Sequence, residues 1–250
     1  MDAMFVGKIR SFTWSVFINA IDTIVGGDVA EIQITKDGLR VRAVDSAYTA
    51  MVDILLPKKL FAEYSVYEKG NVVINVEKVK NYIKHIDGTI EIYLSKKQLD
   101  LKTYYITRTF TPPDTEPVRI EKLPDIQFTS KIRLDRVKAE EFLTALDLAV
   151  TLSRYIKLST SNGNAIIESS SIDGKDSIKG TIEGVAEGKA ICHYPDYIYE
   201  IVKAICNVAV TFAPKGKVME EIFIEFANDK PVKISSKNVM FMLAPVCWRD

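Results

Sequence analysis

The residues that most readily support chemistry in this sequence are a cysteine and two histidines. Cys192 precedes His193 directly, and a thiol with an imidazole is the pairing that cysteine nucleophiles use. Adjacent residues of a strand point to opposite faces, however, so this pair is not expected to act as nucleophile and base. His85 lies at the end of a predicted helix, where a solvated imidazole near the helix dipole is the ordinary role. Neither histidine therefore indicates catalysis.

Motifs for a cofactor or a metal do not occur in the sequence. The turns at Gly163 and Gly174 show neither GxGxxG nor GxxxxGK[ST] spacing, so no phosphate-binding loop is predicted. Asp45 and Asp53 are far apart and have no third ligand nearby in the sequence. We therefore predict no cofactor, no metal site and no catalytic residue.

Composition excludes several classes of protein. The 33 basic residues balance the 33 acidic ones, which indicates no polyanion partner by itself but leaves room for a local basic face. The cysteines, Cys192, Cys206 and Cys247, are odd in number and lack CxxC spacing, which argues against disulfides or zinc and favours a reducing compartment. The first residues lack a signal-peptide core, and no apolar run reaches membrane-spanning length. A cytoplasmic protein, neither secreted nor membrane-bound, is predicted.

The first half of the chain reads as strands interrupted by two helices. A strand at 5–10 leads to Ser11 as helix N-cap, and apolar residues then recur at i, i+3, i+4 and i+7 from Trp14. The turn at Asp37-Gly38 predicts a hairpin. A second helix is predicted at about 77–86, and a meander of strands runs to Phe110.

The second half repeats this plan. A strand at 127–134 precedes a helix at 138–149, and a turn at 161–163 predicts a hairpin. A further helix is predicted to open with Pro195, and 208–212 reads as a strand. Two copies of one α+β arrangement are therefore predicted.

A proline-rich segment separates the halves. Residues 111–124 contain four prolines in fourteen positions, which removes backbone donors that a sheet needs. We predict an α+β fold of two similar domains, each with two helices packed on antiparallel sheets. The domains are 1–110 and 127–250, and 111–126 is the connecting loop.

Motifs in a consistent order resemble those of the DNA sliding-clamp family, specifically archaeal proliferating cell nuclear antigen. The longest is Gly38-Leu-Arg-Val-Arg-Ala-Val-Asp-Ser-Ala-Tyr-Thr-Ala-Met-Val-Asp53. The others are Leu56 to Tyr64, Arg108-Thr-Phe110, Phe128-Thr-Ser-Lys131, Phe226 to Pro231 and Leu243-Ala-Pro245. Each is weak alone, but six in register identify the family.

The resemblance implies a ring of three subunits around duplex DNA, with helices lining the hole and a continuous outer sheet. By family position, the strands near 104–110 and 172–181 are open edges that pair head to tail between subunits. The expected subunit interface comprises Tyr105, Thr107, Thr109, Ile172, Ile178 and Thr181.

A clamp holds DNA through phosphate contacts without reading the sequence, so its lining should be basic. The predicted DNA-facing residues are Lys8, Arg10, Lys78, Lys80, Lys84 and Lys203. The alternative is that these are ordinary solvated lysines and arginines. The first helix of each half departs from the family pattern, because 11–24 has no basic residue and exposes Asp22, and 138–149 exposes acids after a single Lys138. Loose sliding contact or a heterotrimer with more basic paralogues explains this departure equally well.

The resemblance also implies an outer pocket for short partner peptides beneath the connecting loop. Its predicted residues are Val44, Tyr48, Thr49, Met51, Ile120, Leu123, Pro231, Met242, Ala244 and Pro245. For Val44, Met51 and Met242 the alternative is a place in the core.

The leading hypothesis is thus a non-enzymatic clamp subunit that tethers replication and repair enzymes to DNA. Its implied partners are double-stranded DNA, DNA polymerase, clamp loader, flap endonuclease, DNA ligase, and itself or clamp paralogues in a trimeric ring. Two rivals are a clamp-like scaffold that acts only within a heterotrimer, and an α+β enzyme that uses Cys192 and His193.

Overall fold

The computed structural model describes residues 3–120 and 123–246 and divides the chain into two compact units, Met1–Lys122 and Leu123–Asp250. Within the described residues each unit has two α-helices packed on antiparallel strands, which confirms the predicted α+β class. None of the described helices is both long and apolar enough to cross a membrane. The boundaries predicted at 110 and 127 stay predictions.

The first unit contains nine strands among residues 3–120. They are β1 (Phe5–Arg10), β2 (Val29–Ile34), β3 (Gly38–Val44), β4 (Ala50–Pro57), β5 (Glu63–Val66), β6 (Gly70–Asn75), β7 (Thr89–Ser95), β8 (Gln98–Lys102) and β9 (Thr107–Phe110). The helices are α1 (Ser11–Val25) and α2 (Val76–Ile83). One sheet has the order β5-β1-β7-β8-β9, and the remaining strands follow the order β4-β3-β2-β6.

The core of the first unit follows from the two periodicities of its sequence. The face of α1 predicted to be apolar is buried, with Trp14 and Phe17 fully enclosed. In the first sheet, alternate residues such as Leu99 and Leu101 point inward. The rings of Tyr82 on α2 and Phe110 on β9 lie 5.8 Å apart. Helix α2 therefore packs on the core side of this sheet.

The start of α1 differs from the prediction by one residue. Ser11 is the first helical residue and is buried, and Arg10 holds the capping position without a side-chain hydrogen bond. The backbone N–H of Ser11 donates to the carbonyl of Gly88 at 2.8 Å instead. Because β1 runs directly into the helix, a neighbouring strand connection satisfies the donor that a serine cap would serve. The helix ends where Gly26 adopts the left-handed conformation, as predicted.

The second unit also contains nine strands among residues 123–246. They are β10 (Ser130–Leu134), β11 (Tyr155–Ser161), β12 (Asn164–Ser170), β13 (Ser177–Ile182), β14 (Ala186–Gly188), β15 (Ala190–Pro195), β16 (Ile222–Phe226), β17 (Val232–Ser236) and β18 (Val239–Leu243). The helices are α3 (Arg136–Val150) and α4 (Ile198–Thr211). The strand orders are β13-β12-β11-β15 and β14-β10-β16-β17-β18.

Two predictions in the second unit were wrong. Pro195 ends strand β15 rather than opening a helix, because α4 begins three residues later at Ile198. The segment 208–212 belongs to α4 up to Thr211 and is not a strand. Val208 and Ala209 continue the buried stripe of Ile201 and Ile205, and a short apolar run cannot distinguish a strand from a buried helix end.

Candidate DNA-facing, partner and subunit surfaces

Helix α2 presents lysines on the face opposite its core residues. Asn75 caps the helix, since its side-chain oxygen accepts a hydrogen bond from the Lys78 backbone N–H at 2.8 Å. Val79 and Ile83 are buried, whereas Lys78 and Lys84 are exposed. Among the described residues, the Lys84 ammonium donates a hydrogen bond to the neutral side chain of Asn81, at 3.1 Å, and forms no ion pair. Both lysines thus keep their charge available on this face.

Lys80 is in a different situation, because it forms an ion pair within the unit. Its Nζ lies 2.5 Å from Oδ2 of Asp22 on α1, and the Asp22 side chain is only 15% exposed. The acid that the sequence pattern placed on the surface is therefore largely covered and neutralised. Lys80 joins the two helices and contributes less to a DNA-facing charge than Lys78 or Lys84.

The alternation of β1 turns Lys8 away from the buried face of its sheet. In β1 the buried residues are Phe5, Gly7 and Ile9, so Lys8 points to the solvent side of the sheet, near Glu63 at 3.9 Å. Helix α2 packs on the other side of that sheet. If helices line the hole, Lys8 faces away from it, because strand neighbours alternate between faces. Arg10 is exposed at the junction of β1 and α1.

The helices of the second unit carry no net positive charge. Lys203 on α4 lies 5.4 Å from the ring centre of Tyr199 and 4.0 Å from the Glu200 carboxylate. A hydrogen bond to Asp147 on α3 raises the pKa of the Tyr199 phenol. The Asp147 carboxylate is therefore engaged with α4.

Helix α3 begins two residues earlier than predicted, which adds Arg136 to its first turn. Asp135 caps it by accepting from the Lys138 backbone N–H at 2.9 Å. Arg136 pairs with Glu140 at 3.1 Å, and Lys138 pairs with Glu141 at 2.9 Å. The helix is thus less acidic than the sequence indicated, although acids still outnumber bases on it by one once Asp147 is included.

Each unit has an edge strand with an unpaired side, as the ring hypothesis requires. β9 ends one sheet and β13 ends another. Thr107, Thr109 and Thr181 are exposed on these strands, and Ile178 is half-buried. Unpaired edges are prone to pair with another chain.

Two of the predicted interface residues lie outside these strands. Tyr105 and Ile172 are in the loops that precede β9 and β13, and both side chains are almost entirely exposed. Each edge strand is shorter than predicted, because the chain turns at Tyr104–Ile106 and at 172–176 before pairing begins.

Three residues predicted for the partner pocket are buried in the structure. Val44 pairs with Met51 across β3 and β4, and both are at most 6% exposed, as is Met242 on β18. Their burial favours the alternative that they are core residues. The more accessible members of the predicted set are Tyr48 and Thr49, which are exposed, and the half-buried Ile120, Leu123, Pro231, Ala244 and Pro245.

Tyr48 occupies a strained loop between β3 and β4. It has a φ of 56°, a left-handed conformation that is unusual for a bulky residue, and its side chain is exposed. The Asp45 carboxylate holds the loop by accepting from the backbone N–H groups of Thr49 and Ala50 at 2.7 and 2.9 Å, and from the Thr49 hydroxyl at 2.6 Å. Strain of this kind is typical of functional positions.

Replacing Tyr48 with glycine tests this interpretation. Glycine adopts a positive φ without a Cβ penalty, so Tyr48→Gly is expected to raise the free energy of unfolding by about 1 kcal/mol. If the tyrosine is a partner contact, the same variant should bind a short partner peptide from a flap endonuclease at least about tenfold more weakly, since an exposed aromatic anchor is lost. Calorimetric titration and urea unfolding measure the two effects.

Tyr67, an exposed tyrosine outside this loop, provides the matched control as Tyr67→Gly. Tyr67→Gly should not raise the free energy of unfolding, because Tyr67 is not in the left-handed region. It should also leave peptide binding unchanged, because Tyr67 is not part of the predicted pocket. Unchanged peptide binding by Tyr48→Gly would remove Tyr48 from the proposed surface.

An arginine cluster on the outer face of β3 and β4 was not anticipated. Asp53 is buried and accepts hydrogen bonds from Arg40 at 2.6 and 2.7 Å and from Arg42 at 2.8 and 3.1 Å. The sequence did contain a signal for this cluster. Two arginines that are two residues apart on one strand share a face, and an aspartate follows on the strand predicted to pair with it. Nearby, Arg119 in the connecting segment pairs with Glu31 of β2 at 2.7 Å, which ties that segment to the sheet.

The cysteine and histidine considered as a catalytic pair lie on β15. Cys192 is buried, with its Sγ 3.8 Å from the carbonyl oxygen of Lys230, and His193 lies on the opposite face. Burial and the Lys157 charge lower the pKa of His193. A thiol enclosed by backbone cannot meet a substrate together with the imidazole beside it. Cys247 lies outside the described residues.

Comparison with known proteins agrees with this architecture. No protein-family model matches the chain. The DNA polymerase sliding clamp of Pyrococcus furiosus is 26% identical over 236 residues, which is 87% of this chain and 89% of that protein. Two solved structures share the fold over nearly the whole chain. They are A. fulgidus PCNA bound to the C-terminal region of FEN-1 (TM-score 0.82, 22% identity, 99% of this chain and 100% of that one) and the PCNA2–PCNA3 complex of Sulfolobus tokodaii (TM-score 0.77, 20% identity, 96% and 98%).

Two α+β units of this plan, each with an open edge strand, have the fold of the DNA sliding clamps. Within that class the chain is a relative of the archaeal DNA polymerase sliding clamps, the group predicted from the order of its motifs.

Proposed function

We propose that this chain is a subunit of a ring that encircles duplex DNA and tethers replication and repair enzymes to it. The observation that carries the proposal is the pair of unpaired edge strands, β9 in one unit and β13 in the other, within a clamp fold. Two different edges on one chain make a heterologous contact, which closes into a ring when the rotation fits.

On the helix side of the sheets, the surroundings of the two edges differ in charge. On the β9 side, exposed Arg108 lies near Phe110 at 5.6 Å, and α2 with its lysines packs close by. On the β13 side, Gly180 closely approaches Ala145 of the acidic helix α3. Opposite charge at the two ends favours head-to-tail association over association of like ends.

In such a ring the DNA contact is electrostatic and independent of sequence. Lys78 and Lys84 are the main cations we propose for it, with smaller contributions from Arg10, Lys80 and Lys203. The chain performs no chemistry in this role. Its effect on a bound enzyme is to make each re-encounter with DNA intramolecular, which raises the effective concentration.

Reversal of the two α2 charges tests the DNA contact. The double variant Lys78→Glu, Lys84→Glu should be retained on nicked circular DNA at least about tenfold less at moderate salt, because phosphate contacts dominate non-specific affinity. Gel filtration of DNA-bound rings over a salt series measures retention. The control is Lys36→Glu, Lys97→Glu, which reverses two exposed charges in turns of the same unit. Equal retention of both variants would contradict the proposed lining.

The proposed partners are DNA polymerase, clamp loader, flap endonuclease and DNA ligase, each through a short peptide, and we place the protein in the cytoplasm at the nucleoid. The FEN-1 segment on the A. fulgidus protein supports the peptide mode. The Sulfolobus tokodaii complex of two paralogues supports mixed rings as a second candidate, which the acidic balance of α3 also favours. Native mass measurement of the purified chain, alone and with paralogues, decides between a homotrimer and a mixed ring.

A further inference from the structure

Three of the six buried side-chain polar atoms that have no hydrogen bond among the described residues lie beside the two edge strands. Among the described residues, Asp100 Oδ1, Tyr82 Oη and Ser169 Oγ are buried and accept or donate no hydrogen bond. Asp100 is directly opposite Thr109 of β9, and Tyr82 contacts Phe110 of the same strand. Ser169 is directly opposite Ile178 of β13. A buried polar atom without a hydrogen bond costs free energy, and a chain that covers these edges is one source of the missing partners.

Asp100 is the most costly of the three because it carries a charge. Its side chain is 8% exposed, and its Oδ2 accepts from the Gln98 amide at 2.7 Å while Oδ1 has no donor. Leu99 and Leu101 point into the core, so Asp100 and Thr109 lie together on the solvent side of the sheet. A buried carboxylate in this position requires a cation or another strong donor.

The other edge strand carries one cation on its solvent side. In β13 the even-numbered residues face the core side, where Ile182 is buried and Gly180 approaches Ala145. Lys179 therefore points to the solvent side. It lies 3.8 Å from Glu168, which already has Lys157 at 2.8 Å. Lys179 can move to a new partner without leaving Glu168 unpaired.

We propose that Lys179 of a neighbouring copy of this chain completes the Asp100 site when β13 of that copy pairs with β9. The proposal rests on the ring put forward under Proposed function. It adds a site that is incomplete in one chain and that joins the two copies by a buried ion pair.

The strand pairing supports this assignment. Every strand pair described in both units is antiparallel, as in the pairs that β9 and β13 themselves form with β8 and β12. Aligning the centres of β9 and β13 in that sense pairs Thr109 with Lys179. The same register places Phe110 opposite Ile178 and Arg108 opposite Gly180, so apolar residues meet and the large residue faces the smallest one. Lys179 and Asp100 are then two strand spacings apart, about 9.5 Å between backbones, which a lysine stem and an aspartate side chain bridge together.

A double-mutant cycle between the two residues tests the pair. Asp100→Asn and Lys179→Met should each raise the dissociation constant of the ring roughly tenfold, because each leaves a buried group without its partner. The double variant should be no weaker than the weaker single variant. Analytical ultracentrifugation over a concentration series gives these constants.

A second measurement separates this role from a structural one. At protein concentrations low enough for the ring to dissociate into single chains, Asp100→Asn should melt at a higher temperature than the unsubstituted chain. The reason is that the substitution removes a buried carboxylate oxygen that has no partner. The controls are Lys175→Met, in the loop before β13, and Glu91→Gln, on the same sheet face as Asp100. Neither should weaken the ring.

The outcomes are distinguishable. If Lys179→Met weakens the ring no more than Lys175→Met does, the Asp100 site is overturned. The same follows if the effects of Asp100→Asn and Lys179→Met simply add in the double variant. Either result leaves the proposed function standing. A chain that stays monomeric at every concentration would overturn both the site and the self-assembled ring.

Discussion

Replacement of Ile178 with aspartate is expected to convert the ring into monomers. In the proposed pairing Ile178 meets Phe110 on the helix side of the joined sheet, where a carboxylate would lose most of its hydration and the nearby Arg108 already packs over the Phe110 ring. The desolvation penalty is several kcal/mol per ion. Each 1.4 kcal/mol is tenfold in affinity, so the dissociation constant should rise at least about a hundredfold. Light scattering coupled to gel filtration measures the mass.

The matched control for this variant is Ile172→Asp. Ile172 lies six positions earlier, in the exposed loop before β13, and should tolerate the charge without loss of the ring. Circular dichroism should show both variants folded, since Ile178 is only half-buried in the single chain. A trimeric Ile178→Asp protein would rule out β13 as the subunit edge, whereas disruption by Ile172→Asp alone would move the interface into the loop.

Replacement of Asp53 with asparagine is expected to cause the largest loss of stability. The change leaves the guanidinium groups of Arg40 and Arg42 without the carboxylate that binds both. Removing one partner of a largely buried pair costs about 3 kcal/mol, here with both arginines partly solvated. Urea unfolding at neutral pH measures this loss. Glu68→Gln, which breaks an exposed pair with Lys96, should have no measurable effect.

The same aspartate should give the unfolding free energy a dependence on acid pH. Burial opposes ionisation of Asp53, but its hydrogen bonds to Arg40 and Arg42 and their charges outweigh burial and lower its pKa. A carboxyl whose folded pKa is depressed stabilises the fold fully above its unfolded pKa of about 3.9. That contribution disappears as the pH falls through the folded pKa. Asp53→Asn should therefore lose less stability than the unsubstituted chain between about pH 4 and pH 2; equal losses would show that Asp53 does not control this range.

Local signals were enough to predict most helices and strands. Gly26 ends α1, the Asp37-Gly38 turn joins β2 to β3, and the prolines after Phe110 precede a segment without strands or helices in its described part. These features depend on backbone conformations that a few neighbouring residues determine. The order of motifs along the chain was likewise sufficient for the clamp fold.

Only the tertiary structure decided which charges remain available. Lys80 and Lys84 look equivalent on a helical face, yet Asp22, 58 positions away, pairs with Lys80. Lys8 looked like a DNA contact because it precedes a helix, but the alternation of β1 turns it to the other side of the sheet. Electrostatic partners depend on distances between elements, which sequence spacing does not encode.

The sequence by itself thus determined the α+β plan, its repetition and the similarity of the chain to the archaeal sliding clamps, because periodicity, turn chemistry and short motifs are local. The tertiary structure decided that β9 and β13 each end a sheet, that Val44 and Met51 are buried, and that Oδ1 of Asp100 has no hydrogen-bond partner among the described residues. Burial and edge position arise only when all the strands are assembled, since each depends on which neighbours cover a residue and which do not.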